Sequence, residues 1–237
     1  MKFLDIESPF MQVMGKVADL MILNLLTLLF CVPVITAGAA FTAMHYQVLK
    51  IVRDEECYVA KGYLKAFKEN FKQSTIIWLI MLLICLVLGG DFYIMYTSGI
   101  EFHMIFKAVM VAITLFTVFT LIYVFPAQAK FANPVFRTIK NALAMSILQA
   151  PKSFLMLVLY LAPPLLFVYF PNIIPLIILF GFTLPAFLSA KMYNKFFLKL
   201  ETKILEAEGI PEETEEDEDG KIFHDKLDPA LESKDGQ

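Results

Sequence analysis

Four stretches of this chain run long without a charged residue: 20–44, 73–90, 108–129 and 153–190. A helix needs about 20 consecutive apolar residues to cross the hydrocarbon of a bilayer. Backbone amides in lipid must be paired within the segment, which turns such runs into helices. The last run has 38 residues and would reach roughly 57 Å as one helix, against about 30 Å of hydrocarbon. It holds Pro163, Pro164, Pro171, Pro175 and Pro185, with the turn signal Phe170-Pro171-Asn172 near its middle. Split there, it makes two spans joined by a tight hairpin. The expectation is an all-α polytopic transmembrane helix bundle. Residues 1–205 form the membrane domain, with five spans at about 17–44, 73–96, 106–129, 153–170 and 173–190.

Composition supports this reading. Charged residues make up 18% of the chain and hydrophobic residues 58%, whereas soluble domains carry about 25% charged residues. The net charge of −3 hides an asymmetry, because 14 of the 23 acidic residues lie after Lys191. Residues 206–237 include the acidic block Glu212-Glu213-Thr214-Glu215-Glu216-Asp217-Glu218-Asp219 and read as a disordered cytoplasmic tail.

Loop charge orients the spans. The connection 45–72 holds Lys50, Arg53, Lys61, Lys65, Lys68 and Lys72; the connection 130–152 holds Lys130, Arg137, Lys140 and Lys152. Lys191, Lys195, Lys199 and Lys203 follow the last span, and the connections 97–103 and 171–172 hold none. The alternation puts the basic loops and the C-terminus in the cytoplasm and the N-terminus outside. Ala37-Gly38-Ala39 has the small-residue form of a signal cleavage site, but the region before the apolar run is long and carries Asp5 and Glu7, which argues against cleavage.

The most unusual stretch is Pro33-Val34-Ile35-Thr36-Ala37-Gly38-Ala39-Ala40. Proline removes a backbone donor, and small residues let another backbone approach. Thr36 can satisfy a freed carbonyl. Pro33, Thr36, Gly38, Ala39 and Ala43 therefore mark either a kinked, tightly packed helix or a broken helix lining a path. Val59, Tyr63, Phe67 and Phe71 recur every four residues, opposite Lys61, Lys65, Lys68 and Lys72. That amphipathic cytoplasmic element either lies on an anionic leaflet or extends the second span and packs on its neighbours. Asn133-Pro134 reads as the start of another such helix, N-cap then proline. With it comes a weak tandem repeat of helix pairs over 59–130 and 133–191.

Asp19, Asn24 and Asp91 are the candidate polar cluster, expected near the outer ends of their helices, where carboxylates need no function. Gly89-Gly90-Asp91 matches three residues of an intramembrane aspartyl protease motif and lacks its partner. No HExxH, G-x-S-x-G or P-loop occurs, and His45, His103 and His224 are scattered. Cys31, Cys57 and Cys85 fit neither a disulfide framework nor a metal site. The expectation is no enzyme, no cofactor, no metal and no nucleic-acid partner; the partner is the lipid bilayer.

Three stretches carry a resemblance. They are Leu29-Phe30-Cys31-Val32-Pro33-Val34-Ile35-Thr36-Ala37-Gly38-Ala39-Ala40 with Ala43 and Tyr46, then Phe67-Lys68-Glu69-Asn70-Phe71-Lys72-Gln73-Ser74, then Phe125-Pro126-Ala127-Gln128-Ala129-Lys130-Phe131. On these the chain resembles the YesL-like family of bacterial integral membrane proteins, a family of unknown function, over roughly 5–205. Ala37 departs from the residue usual after the threonine. The resemblance implies the cell membrane of a Gram-positive bacterium and a role near carbohydrate uptake, with a sugar transporter or sensor complex as partner. It carries over no site residue. Two functions follow as expectations: a non-enzymatic accessory or assembly partner of a membrane system, or a small secondary transporter or permease component using the 33–40 break.

Overall fold

A computed structural model describes residues 9–55, 58–98 and 102–208. The acidic tail from residue 209 on, Cys57 and Glu101 lie outside the described residues. Among the described residues eight α-helices follow one another: α1 (Pro9–Cys31), α2 (Ala37–Val52), α3 (Val59–Thr97), α4 (Met104–Lys130), α5 (Val135–Leu148), α6 (Ala150–Tyr169), α7 (Ile174–Phe180) and α8 (Thr183–Glu208). Among the described residues α1, α3, α4 and α6 are long and apolar enough to cross a membrane, and α7 with α8 makes a fifth candidate bent by 46°. The all-helical polytopic bundle expected from the sequence is what the chain forms.

The first expected span is not one helix. Residues 17–44 divide at Pro33, and the chain doubles back. Lys16 of α1 forms an ion pair with Asp54, just past the end of α2. The two helices are joined by a few residues at one end and meet again at the other, so they make an antiparallel hairpin. Proline explains the break: Pro33 takes an extended conformation (φ −78°, ψ 115°) before the 3-10 turn Val34–Thr36, and it lacks the amide that would continue the ladder.

α2 is the centre of the molecule. Thirteen of its 16 residues are buried, against α1, α3, α4 and α8. It runs antiparallel to α3, with Gly38 beside Ser74 and Trp78 and Gln47 beside Gly62. It runs parallel to α8, with His45 against Tyr193 and Arg53 against Glu201. Ala39 and Ala43 are fully buried; side chains this small let four neighbours close around one helix.

α3 runs unbroken for 39 residues, about 58 Å at the usual rise. The basic amphipathic stretch is therefore the first part of α3, not a separate surface helix. Tyr63 is fully buried and Phe67 packs at a tilt against Phe30 of α1, while Lys61, Lys65, Lys68 and Lys72 stay exposed. Val59, Tyr63 and Phe67 of the stripe thus face neighbouring helices, while Phe71 is exposed. α5 is a separate amphipathic helix. It starts at Val135 with Pro134 as its cap residue, one position later than expected, and it packs back on the end of α4. The expected last span, 173–190, is divided at Gly181-Phe182, and its second half continues to Glu208, past the boundary set at 205. The two halves of the suggested repeat share an element order, but α3 is continuous where α5 and α6 are separated, and α4 is continuous where α7 and α8 are bent.

A Cβ on Gly38 would stand 2.5 Å from the Ser74 carbonyl oxygen and 2.5 Å from Trp78 Cβ. Gly38→Ala should therefore push α2 off α3 and cost about 1–3 kcal/mol, read as a lower unfolding temperature of the purified protein. Gly89→Ala, with open space around it, should leave that temperature unchanged or raise it slightly through helix propensity.

Candidate functional site

The residues singled out around Pro33 close the hairpin. The Thr36 hydroxyl lies 2.5 Å from the Phe30 carbonyl and 2.8 Å from the Pro33 carbonyl, and its one proton serves either. The Thr36 amide also donates to the Pro33 carbonyl at 3.0 Å. Trp78 Nε1 donates to the Val34 carbonyl at 2.8 Å. Four of the carbonyls freed at the end of α1 and through the turn thus share donors from the turn and from α3, counting the Val32 amide on Leu29. Apolar side chains cap the tip on the outside, and Val32 is 78% exposed. Behind it, Gly38 meets α3, and the Thr42 hydroxyl donates to the Ser74 hydroxyl at 2.9 Å.

A second break sits nearby, between α7 and α8. Asn24 of α1 is fully buried. Its Nδ2 donates to the Ile178 carbonyl at 2.7 Å, while its Oδ1 accepts from the amides of Phe182 and Thr183 at 2.9 and 3.0 Å. Thr183 returns a hydroxyl bond to the Leu20 carbonyl at 3.0 Å. Asn24 therefore serves the backbone of the broken helix. Asp19 is half-buried on α1, and Asp91 is exposed within the last two turns of α3; neither joins Asn24 at the break. Among the described residues no three His, Cys, Asp or Glu side chains gather as metal ligands would. Cys31 and Cys85 are free thiols.

An ionic cluster at the far end of α2 was not foreseen. Arg53 holds Glu201 through both terminal nitrogens, at 2.7 and 3.1 Å, and Asn194 through Nε at 2.9 Å. Lys130 approaches the same carboxylate at 3.6 Å. The side chains of Arg53, Glu201 and Lys130 are 11%, 6% and 9% exposed. Sequence reading counted Arg53 and Lys130 as loop charges; a partner 148 positions away carries no local signal. His45, also in α2, is buried with its Nδ1 3.5 Å from the Tyr193 hydroxyl.

Residues 20–92 match a family model described as a protein of unknown function, DUF624. The match covers the later part of α1, the break, α2 and most of α3, so the hairpin and its α3 support are the portion similar to that family. No curated protein and no solved structure matches the chain.

Removing the carboxylate of Glu201 takes from the buried Arg53 and Lys130 the partner they share, Glu55 acting on Lys130 more weakly. Glu201→Ala should cost about 3–5 kcal/mol, the loss typical of a buried pair broken from one side. The triple change Arg53→Met, Lys130→Met and Glu201→Leu, which removes all three buried charges, should recover much of it. Thermal unfolding of the three proteins in one detergent checks both statements. Asn24→Leu leaves one carbonyl and two amides without their partner and, at about 1–3 kcal/mol a group, should cost a comparable amount in the same assay.

Proposed function

We propose that this chain is a non-enzymatic accessory or assembly protein of the cell membrane, built around a fixed helical hairpin. The observation that carries the reading is the state of the 33–40 break. The Phe30, Pro33 and Val34 carbonyls are engaged by Thr36 and Trp78, and Gly38 is closed over by α3. A transport site made from a broken helix needs free backbone groups to coordinate its cargo, so the closed break favours packing over passage. A sugar transporter or sensor complex is the candidate partner, on the strength of the YesL-like resemblance.

The hairpin also supports a different orientation from the one loop charge suggested. The outside N-terminus depended on counting 17–44 as one crossing. Lys16 pairs with Asp54, next to Arg53 and the ionic cluster at the ends of α2 and α4. The start of α1 and the connection to α3 then lie on one side, whatever depth the tip reaches. With the basic connections cytoplasmic, both termini are cytoplasmic, and 9–52 is a there-and-back excursion.

Two experiments test these readings. In a background without native cysteines, Gln12→Cys should be labelled from the same side as Lys61→Cys and the opposite side from Ser98→Cys; labelling with Ser98→Cys restores the outside N-terminus. Crosslinking in the native membrane should recover the chain in a discrete complex with another membrane protein. A partner-free isolate, together with solute flux in liposomes that falls on Pro33→Ala or Asp19→Asn, would favour the transporter instead.

A further inference from the structure

The two faces of α5 are distributed the wrong way round for a helix in water. Its buried residues are Thr138, Ala142, Met145 and Ser146, two of them hydroxyl-bearing. Phe136 and Leu148 stand 79% and 72% exposed, and Leu143 and Ile147 also point outward. A helix on a water-facing surface turns its apolar stripe to the core and its polar residues out. The outward face of α5 adds two exposed cations, Arg137 and Lys140. No acidic residue stands between 102 and 200 to offset them from within that stretch.

Contacts at the two ends of α5 order this face by depth. Near its start, Thr138 Oγ1 lies 3.2 Å from Gln128 Oε1, close to the end of α4. Near its finish, the Ser146 carbonyl accepts from the Ser153 hydroxyl at 2.9 Å, and Ser153 lies 3.4 Å from the Tyr123 hydroxyl. Phe154, the next residue, packs edge-on against Phe119. α5 thus runs back along α4, from Gln128 toward Tyr123, beside the uncharged stretch 108–129. Its cations sit at the end where α4 reaches Lys130 and charge returns to the sequence. Leu143, Ile147 and Leu148 sit at the end beside Tyr123. The helices on either side of it in sequence, α4 and α6, are both candidate membrane spans.

We propose that the outward face of α5 is a lipid-binding surface, its apolar end among acyl chains and Arg137 and Lys140 on the head group of an anionic phospholipid. A bilayer has the same order as this face, charge at the head groups and hydrocarbon behind them, and amphipathic helices with basic residues settle at that boundary. Water would leave four apolar side chains uncovered. A protein partner gives no reason for the cations to gather at the end where the span meets water. The cytoplasmic leaflet is the one that attracts such cations. The proposal does not depend on the accessory reading. It takes only the cytoplasmic side of the basic connections, which labelling of Lys61→Cys against Ser98→Cys checks separately.

A nitroxide scan reads the depth. In the background without native cysteines, Phe136→Cys, Ala144→Cys and Leu148→Cys are spin-labelled in vesicles of phosphatidylcholine and phosphatidylglycerol. Accessibility to oxygen, divided by accessibility to a water-soluble nickel chelate, should rise from 136 through 144 to 148. A ratio that stays flat or falls overturns the lipid-facing helix. So does exclusion of both reagents, which marks cover by a second copy or another protein. Native mass spectrometry of the detergent-purified full chain, given equimolar phosphatidylglycerol and phosphatidylcholine, reads the head group. Phosphatidylglycerol should be retained in preference. That preference should fall about fivefold for each cation removed by Arg137→Gln and Lys140→Gln, while the exchange Arg137→Lys with Lys140→Arg keeps it. Equal retention of the two lipids, or a preference that survives the double glutamine variant, overturns the anionic head group.

Discussion

A helix break frees carbonyls and amides, and each group left unpaired away from water costs several kcal/mol. Among the described residues two breaks, at 32–36 and at 181–182, are closed with the help of side chains from other elements. Trp78 of α3 takes the Val34 carbonyl. Asn24 of α1 takes one carbonyl and two amides between α7 and α8. Because donor and acceptor belong to different helices, closing a break also fixes a helix position. Phe41 of α2 packs on both Trp78 and Phe182, so the two breaks share one wall.

α2 is the helix these constraints position. Buried on nearly every side, it behaves as a core helix. Hydropathy cannot tell such a helix from one that faces lipid, since both are apolar all round. That is why 17–44 reads as one crossing until the ion pair of Lys16 with Asp54 is seen. At Gly181-Phe182 the break has a local cause, since Pro185 in the first turn of α8 lacks the amide that a continuous helix would bond to the Gly181 carbonyl.

What was legible follows from this. Uninterrupted apolar runs located the helices of 73–96, 106–129 and 153–170 to within a few residues, apart from the basic extension of α3, because a run of that length has few other solutions. Pro33 marked the first break through its missing amide, and Thr36 was recognised as a donor to a freed carbonyl. Whether the chain continued or reversed after Pro33 depended on contacts with α3, which no local pattern records. Asn24 looked like part of an outer polar cluster because its partners are backbone atoms about 154 positions away. Arg53 and Glu201 were invisible as a pair for the same reason.

The hairpin is not held by the contact that reveals it. Lys16 and Asp54 are 36% and 71% exposed, and ion pairs so exposed contribute little. The two ends of α2 carry stronger constraints. At one end Gly38 admits the α3 backbone, and any larger residue meets Ser74 and Trp78. At the other, Arg53 grips a carboxylate on α8 that Lys130 of α4 also approaches. A buried ionic cluster adds little net stability over apolar packing, but it tolerates one geometry, because a shifted register strands a charge. Fixed by sterics at one end and by charge at the other, α2 cannot slide or rotate without breaking one of them. A helix so held is suited to present a constant surface to a partner, and poorly suited to the rocking that alternating access requires.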